Sequence, residues 1–147
     1  MAFTNPPEAV LRALLQQPLT VAVVICSPDP RRDSHRIAGR LQAFGFRMIP
    51  VNPAAAGTLI HGEYCYARLT DIAEPVHLVD VFRRPDMVEP LVDDAIACGA
   101  SVLWMQLGVV NETAARRAQE AGLTVVMDRC TSRDYRHFVL SARENAG

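Results

Sequence analysis

Apolar residues along this chain fall in blocks, and the blocks change period. Leu19–Ile25 (LTVAVVI) is a continuous β-branched run, the pattern of a strand buried on both faces. Phe46–Val51, Val76–Phe82 (VHLVDVF), Ser101–Leu107 and Leu123–Met127 predict four more strands. Between them the apolar residues recur at helical spacing. Ile37, Leu41 and Phe44 mark a helix that begins near Asp33 or Ser34 and ends at Gly45. Val88, Leu91, Val92, Ala95 and Ile96 mark a second, from Pro85 to Gly99, with Pro90 at its first turn or at a kink. A third is capped by Asn111 and closed by Gly122. Pro7–Gln17 predicts a short N-terminal helix with Ala9, Val10, Leu14 and Leu15 along one side. Ala54–Ala73 reads as a long connection with one helical turn near Leu69–Ile72, and the tail after Met127 as a short helix with a frayed end.

Five apolar strands joined by three well-formed helices imply an α/β, Rossmann-like fold. The expected architecture is a doubly wound parallel five-stranded sheet with helices on both faces, in the strand order 3-2-1-4-5. One domain spans residues 1–147, with its core at about 19–133 and short extensions on either side. Ligands in such sheets sit outside the carboxyl ends of the strands, where the strand order reverses. The loops that would build the site are SPDPRR, NPAAAG, FRRP and QLGVVN.

Composition narrows the classes. Half of the 147 residues are hydrophobic and the formal net charge is −1. Such a chain has a core to bury, does not read as disordered, and lacks the basic surplus of a non-specific nucleic-acid binder. No apolar run approaches the ~20 residues of a membrane span, and no secretory signal opens the chain, so a soluble, cytoplasmic protein is expected. Cys26, Cys65, Cys98 and Cys130 are far apart and form no C-x-x-C, which leaves zinc and dithiol chemistry without local support.

The loop after the first strand enters a helix N-terminus, whose free N–H groups and positive dipole end suit a phosphate. The turn reads Ile25-Cys26-Ser27-Pro28-Asp29-Pro30, without the G-x-G-x-x-G of a dinucleotide site. The second strand ends in Asn52-Pro53, with no carboxylate for ribose hydroxyls until Glu63. Cations are better placed: Arg31, Arg32 and Arg36 cluster at the helix start, and Arg83-Arg84 follow the third strand. Arginine forks pair well with phosphate oxygens, which points to a ligand richer in phosphate than NAD. The plainer alternative is that these arginines are solvated or paired with Asp29, Asp33 and Asp86.

Several segments together resemble a known family. They are Ser27-Pro28 with Ser34-His35-Arg36, Ile49-Pro50-Val51-Asn52-Pro53, Val79-Asp80-Val81-Phe82-Arg83-Arg84-Pro85, Trp104-Met105-Gln106-Leu107-Gly108-Val109 and Met127-Asp128-Arg129-Cys130. Over roughly Leu19 to Arg133 the chain resembles the stand-alone CoA-binding proteins, whose fold also forms the CoA-binding domain of the succinyl-CoA ligase α subunit. The resemblance implies that the Ser27 loop and the following helix hold a CoA diphosphate. It implies that Asn52-Pro53 border the adenosine, and that Phe82–Pro85 with Gln106–Gly108 line the pantetheine path. Ile25-Cys26 depart from the family, which usually has a small glycine-containing turn there; larger side chains narrow the pocket. The ligase's phosphorylated histidine lies in a further domain, so ligase activity is not carried over.

Catalytic groups find little support. His35 reads as a capping or ligand-contacting residue, His61 and His77 have no partners in sequence, and His137 lies in the tail. Trp104 reads as core packing, and Asp80 as a buried carboxylate bonded to a backbone N–H or an arginine. Cys130 falls at the ligand edge, where Arg129 beside it would favour the reactive thiolate and a mixed disulfide with the CoA thiol; packing under the loop is the plainer reading. The expected function is therefore non-catalytic binding of coenzyme A or an acyl-CoA, with the protein partner unknown. The alternatives are an NAD(P)- or nucleotide-dependent enzyme on the same fold and an interaction module that has lost its ligand.

Overall fold

The computed structural model describes residues 2–146. Five strands form the main sheet: β1 (Thr20–Val24), β2 (Arg47–Val51), β3 (Leu78–Val81), β4 (Val102–Met105) and β5 (Thr124–Met127). All neighbours pair in parallel, in the order β2-β1-β3-β4-β5. The doubly wound parallel sheet is as expected, but the order 3-2-1-4-5 is not: the third strand pairs with the first, and the second lies at the edge.

Pro50 gives the reason. Proline has no N–H to donate, so a strand that carries it belongs at a sheet edge. In the expected order the second strand would have had neighbours on both sides. Here Pro50 sits opposite Val23 of β1, and its carbonyl turns outward to accept the Tyr66 N–H at 3.1 Å. The missing donor falls on the side where no strand of the main sheet needs it.

Successive residues of each strand point to opposite faces, and both faces are covered. Val24, Val81, Leu103, Met105 and Val125 pack under α3 (Glu89–Ala97) and α4 (Glu112–Glu120), together with Leu69, Ile72 and Val76 of the connection 52–77. Val21, Val23, Leu78, Trp104 and Val126 pack under α1 (Glu8–Leu15), α2 (Asp33–Ala43) and the C-terminal helical segment. That segment runs from α5 (Thr131–Tyr135) through a wider turn (Arg136–Leu140) into α6 (Ser141–Ala146).

Two terminal expectations are corrected. In α1 the buried residues are Leu11 and Leu15, one helical repeat apart, while Val10 is 43% exposed. The tail is not a frayed appendage. Tyr135, Phe138 and Val139 are buried in the same cluster as Leu11 and Leu15, so the tail and α1 cover each other.

The connection after β2 contains a two-stranded hairpin, Leu59–Ile60 with Glu63–Tyr64. It rests on α2 because Gly39 has no side chain; a Cβ there would come within 2.8 Å of the His61 ring. Arg47 fastens the hairpin to the sheet edge through Glu63, and a later part of the same connection through Glu74.

Of the two buried carboxyl groups, Asp134 is paired with Arg129, whereas Asp80 has no ion-pair partner among the described residues. Asp80, on β3, is fully buried and faces the α2–α5 side. Its partner is neither a backbone N–H nor an arginine: Oδ2 lies 2.9 Å from the Thr131 hydroxyl, and Oδ1 has no partner. Burial, only partly offset by the Thr131 hydrogen bond, pushes its pKa from 3.8 up to about 8. Trp104 is core packing, as expected, with its indole N–H donating to the Arg129 carbonyl at 2.7 Å.

Phe138→Ala should destabilise the fold by about 3–5 kcal/mol, the usual range for emptying a buried aromatic site. An unchanged urea midpoint would return the tail to the surface. For Asp80→Asn the expectation depends on pH. The unfolded carboxyl loses its proton near pH ~4, but the folded one keeps it to about 8, so wild-type stability falls as pH rises across that window. Urea midpoints of wild type and Asp80→Asn should therefore diverge from pH ~4 to pH ~8 in favour of the variant.

Candidate functional site

The first loop is bound to itself before any ligand is considered. The Ser27 N–H donates to Ser34 Oγ at 2.9 Å, the Asp29 N–H to Ser27 Oγ at 3.0 Å, and the Arg31 N–H to Asp29 Oδ1 at 2.9 Å. His35 Nδ1 lies 2.9 Å from the Ser27 carbonyl, which can only accept, so this nitrogen carries the proton. The loop is thereby folded onto the first turn of α2. Among the described residues, the N–H groups of Asp33, Ser34 and His35 have no protein acceptor; the first amide of the helix to find one is Arg36, on the Arg32 carbonyl.

The predicted arginines divide into two groups. Arg31 pairs with Asp29 at 2.9 Å, Arg36 with Asp33, and Arg84 with Asp86 at 3.6 Å. These are the three acids named as alternative partners. The Arg31 hydrogen bonds, side chain first and then main chain, hold the Asp29 carboxyl below its ordinary range. Arg32 and Arg83 take part in no ion pair among the described residues, and Arg83 is half-buried.

Two clefts open at the carboxyl ends of the strands, and Arg83 lines both. The first, of about 420 Å³, is bounded by Phe82, Gln106, Leu107, Val109 and Cys130 at the strand ends, by Asp33, Ile37 and Arg40 along α2, and by Arg133 of α5. The second, of about 250 Å³, is largely apolar, with walls from Ile25, Pro53, Leu69, Met87, Pro90 and Leu91. They flank the point where α2 leaves β1 toward one face and the chain leaves β3 toward the other. In this strand order that is the reversal point.

Of the predicted residues, Phe82, Arg83, Gln106 and Cys130 meet in the first cleft, and Pro53 with Arg83 in the second. The others are placed differently. Asn52 splices two loops, its Nδ2 donating to the Cys26 carbonyl at 2.9 Å and its Oδ1 accepting from the Ala54 N–H at 3.0 Å. Gly108, at φ +85°, donates its N–H to Asp128 Oδ1 at 2.7 Å. Ser27, Ser34 and His35 shape the α2 entrance through the bonds given above. Pro28, Arg31, Arg32, Arg36 and Arg84 are exposed at the loop surfaces. Of the departing pair, only Ile25 forms a cleft wall. Cys26 turns into the α2 core, where burial, reinforced by Cys65 and Asp80, pushes its pKa up to about 12.

Cys130 lies 3.4 Å from Ser132 Oγ and lines the first cleft. Arg129 does not attend it. Its guanidinium is held by Asp134 at 2.6 and 3.0 Å and lies over the Phe138 ring. Two of the other histidines are engaged with the main chain: His61 Nε2 donates to the His35 carbonyl at 2.7 Å, and His77 Nδ1 accepts from the Thr20 N–H at 2.8 Å.

Arg40 and Arg133 were missed from the sequence, and neither has an ion-pair partner among the described residues. Arg40 was within reach, because Asp33, Ile37 and Arg40 follow the helical spacing of one face. Arg133 was hidden by reading the tail as frayed.

The chain is 36% identical over 126 residues to the uncharacterized protein YneT of Bacillus subtilis, covering 86% of this chain and 92% of that one. A hypothetical protein from Pyrococcus horikoshii OT3 has the same fold at a TM-score of 0.86 and 33% identity, over 95% of this chain and 99% of that one. A dinucleotide forming acetyl-coenzyme A synthetase 1 of Ca. Korarchaeum cryptofilum, solved with phosphate and ADP, is similar over 80% of this chain but only 27% of its own, with a TM-score of 0.68 and 28% identity. The CoA binding domain family matches residues 19–136, which include every strand, both clefts and α5, and this chain belongs to that family.

Proposed function

We propose that the chain binds coenzyme A or an acyl-CoA in the trough formed by the two clefts, as a binding module without chemistry of its own. The observation that carries this reading is Arg83, half-buried at the strand-order reversal, lining both clefts and engaged in no ion pair among the described residues. An elongated ligand with anionic groups near its middle matches a trough with a cation at its join. The apolar second cleft suits a flat base, and the free amides at the start of α2 suit phosphate oxygens. Arg40 and Arg133 add positive charge to the first cleft. The binding-module reading is supported by how the reactive groups are used. His35, His61 and His77 serve the main chain, Asp33 is paired with Arg36, and no base is bonded to the Cys130 thiol.

Thermal melts with CoA, acetyl-CoA, NAD, NADP and ATP should show stabilisation by the two CoA compounds alone. Calorimetry showing no heat of binding with millimolar CoA would remove the reading. Arg83→Ala should weaken CoA binding by about tenfold, the scale of one lost charge-assisted contact, while Arg84→Ala should leave it unchanged. The reverse ranking would move the contact to Arg84.

A further inference from the structure

Every basic residue of this chain is an arginine. Most of those that meet an acid are held by it: Arg31, Arg47, Arg68, Arg84, Arg117 and Arg129 each have a carboxylate partner. The first cleft breaks this pattern. Arg40 borders it from α2, Arg133 from α5, and Arg83 stands where it joins the second cleft. None of the three has an ion-pair partner among the described residues. Asp33 is the one acid on the cleft wall among those residues, and it is paired with Arg36. The cleft therefore holds a positive surplus that the protein does not neutralise.

The phosphates of CoA do not account for Arg40 and Arg133. The free amides of Asp33, Ser34 and His35 open at the start of α2, and Arg83 stands at the join of the clefts. Arg40 lies seven residues beyond Asp33 on the same helix, two turns or ~10 Å along its axis, out of reach of a phosphate on those amides. The 3′-phosphate is carried on the ribose beside the base, which the apolar second cleft suits, across Arg83 from the first. Beyond its diphosphate CoA has no further anion, because the pantetheine arm is neutral and ends in a thiol. A negative charge in this half of the trough can then come only from an acyl group on that thiol. The walls between the two arginines include Ile37, Phe82 and Val109, which suit an alkyl chain.

We propose that the first cleft selects acyl-CoA thioesters whose acyl chain ends in a carboxylate, and that Arg40 and Arg133 hold that carboxylate. The proposal rests on the CoA reading above and adds the acyl class. A guanidinium donates two N–H groups to the two oxygens of one carboxylate, a match that a point charge does not offer. A methyl-ended chain of the same length leaves both cations to water and gains nothing from them.

The test is calorimetric titration with CoA and two matched pairs, malonyl-CoA against propionyl-CoA and glutaryl-CoA against valeryl-CoA. Within each pair a carboxylate replaces a methyl group. In at least one pair the carboxylated ligand should bind about tenfold more tightly, the scale of one charge-assisted contact. Arg40→Gln and Arg133→Gln should each reduce that ratio, and the double variant should bring it to about one. Both side chains are exposed, so the variants keep the core intact. Arg136→Gln removes an exposed arginine that does not line the cleft and should preserve the ratio. Equal affinities within both pairs would overturn the proposal, as would a preference that survives in the double variant or one that Arg136→Gln also abolishes. Each of these outcomes leaves CoA binding itself standing. Failure of the wild type to bind CoA or any of the four thioesters would instead overturn the CoA reading, and this proposal with it.

Discussion

A parallel sheet buried on both faces needs helices on both sides, and the whole site follows from how this chain meets that requirement. Chain leaving β1 covers the face with Val21 and Val23, and chain leaving β3 covers the face with Val79 and Val81. Two neighbouring strands thus send their continuations in opposite directions, and a gap opens between them that neither helix fills. Arg83, the second residue past β3, stands in that gap and is reached from both clefts. Had β2 and not β3 been the neighbour that diverges from β1, this arginine would have opened onto a different part of the edge.

The polar groups beneath the gap work as splices between loops. Asn52 joins the loop after β2 to the loop after β1, Asp128 joins the loop after β5 to Gly108, and Gln106 joins β4 to the start of α5. Each bond satisfies a main-chain group that the end of a strand would otherwise leave open. Gln106 does so with its amide oxygen while the residue itself lines the first cleft. Exposed arginines behave differently. Arg31 and Arg84, at the loop surfaces, find the nearest acid, in pairs weakened by water and salt, whereas Arg40, Arg83 and Arg133 border a concave surface and have no ion-pair partner among the described residues.

The apolar runs alone determined the five strands, their burial on both faces, the three main helices and the class of the fold. Those features depend on local periodicity, which a sequence displays directly. Pro50 also carried the information that β2 is an edge strand, although strand pairing itself is a long-range choice. The family motifs brought Phe82, Arg83, Gln106 and Cys130 forward as site residues, since each lies at or just past a strand end. Tertiary structure decided the rest. Whether an arginine is paired with a local acid or lines a cleft depends on where α2 and α5 are carried, and neither is set by spacing along the chain. Arg129 looked like the neighbour of Cys130 but turned to Asp134, because helix α5 places that carboxylate within reach and leaves it only slightly exposed. Asp80 and Gln106 are twenty-six positions apart, and Thr131 a further twenty-five. Only the packing of α5 against the β3–β4 edge brings the three into one line of hydrogen bonds, because a buried carboxyl and a buried amide must find their partners wherever the core provides them.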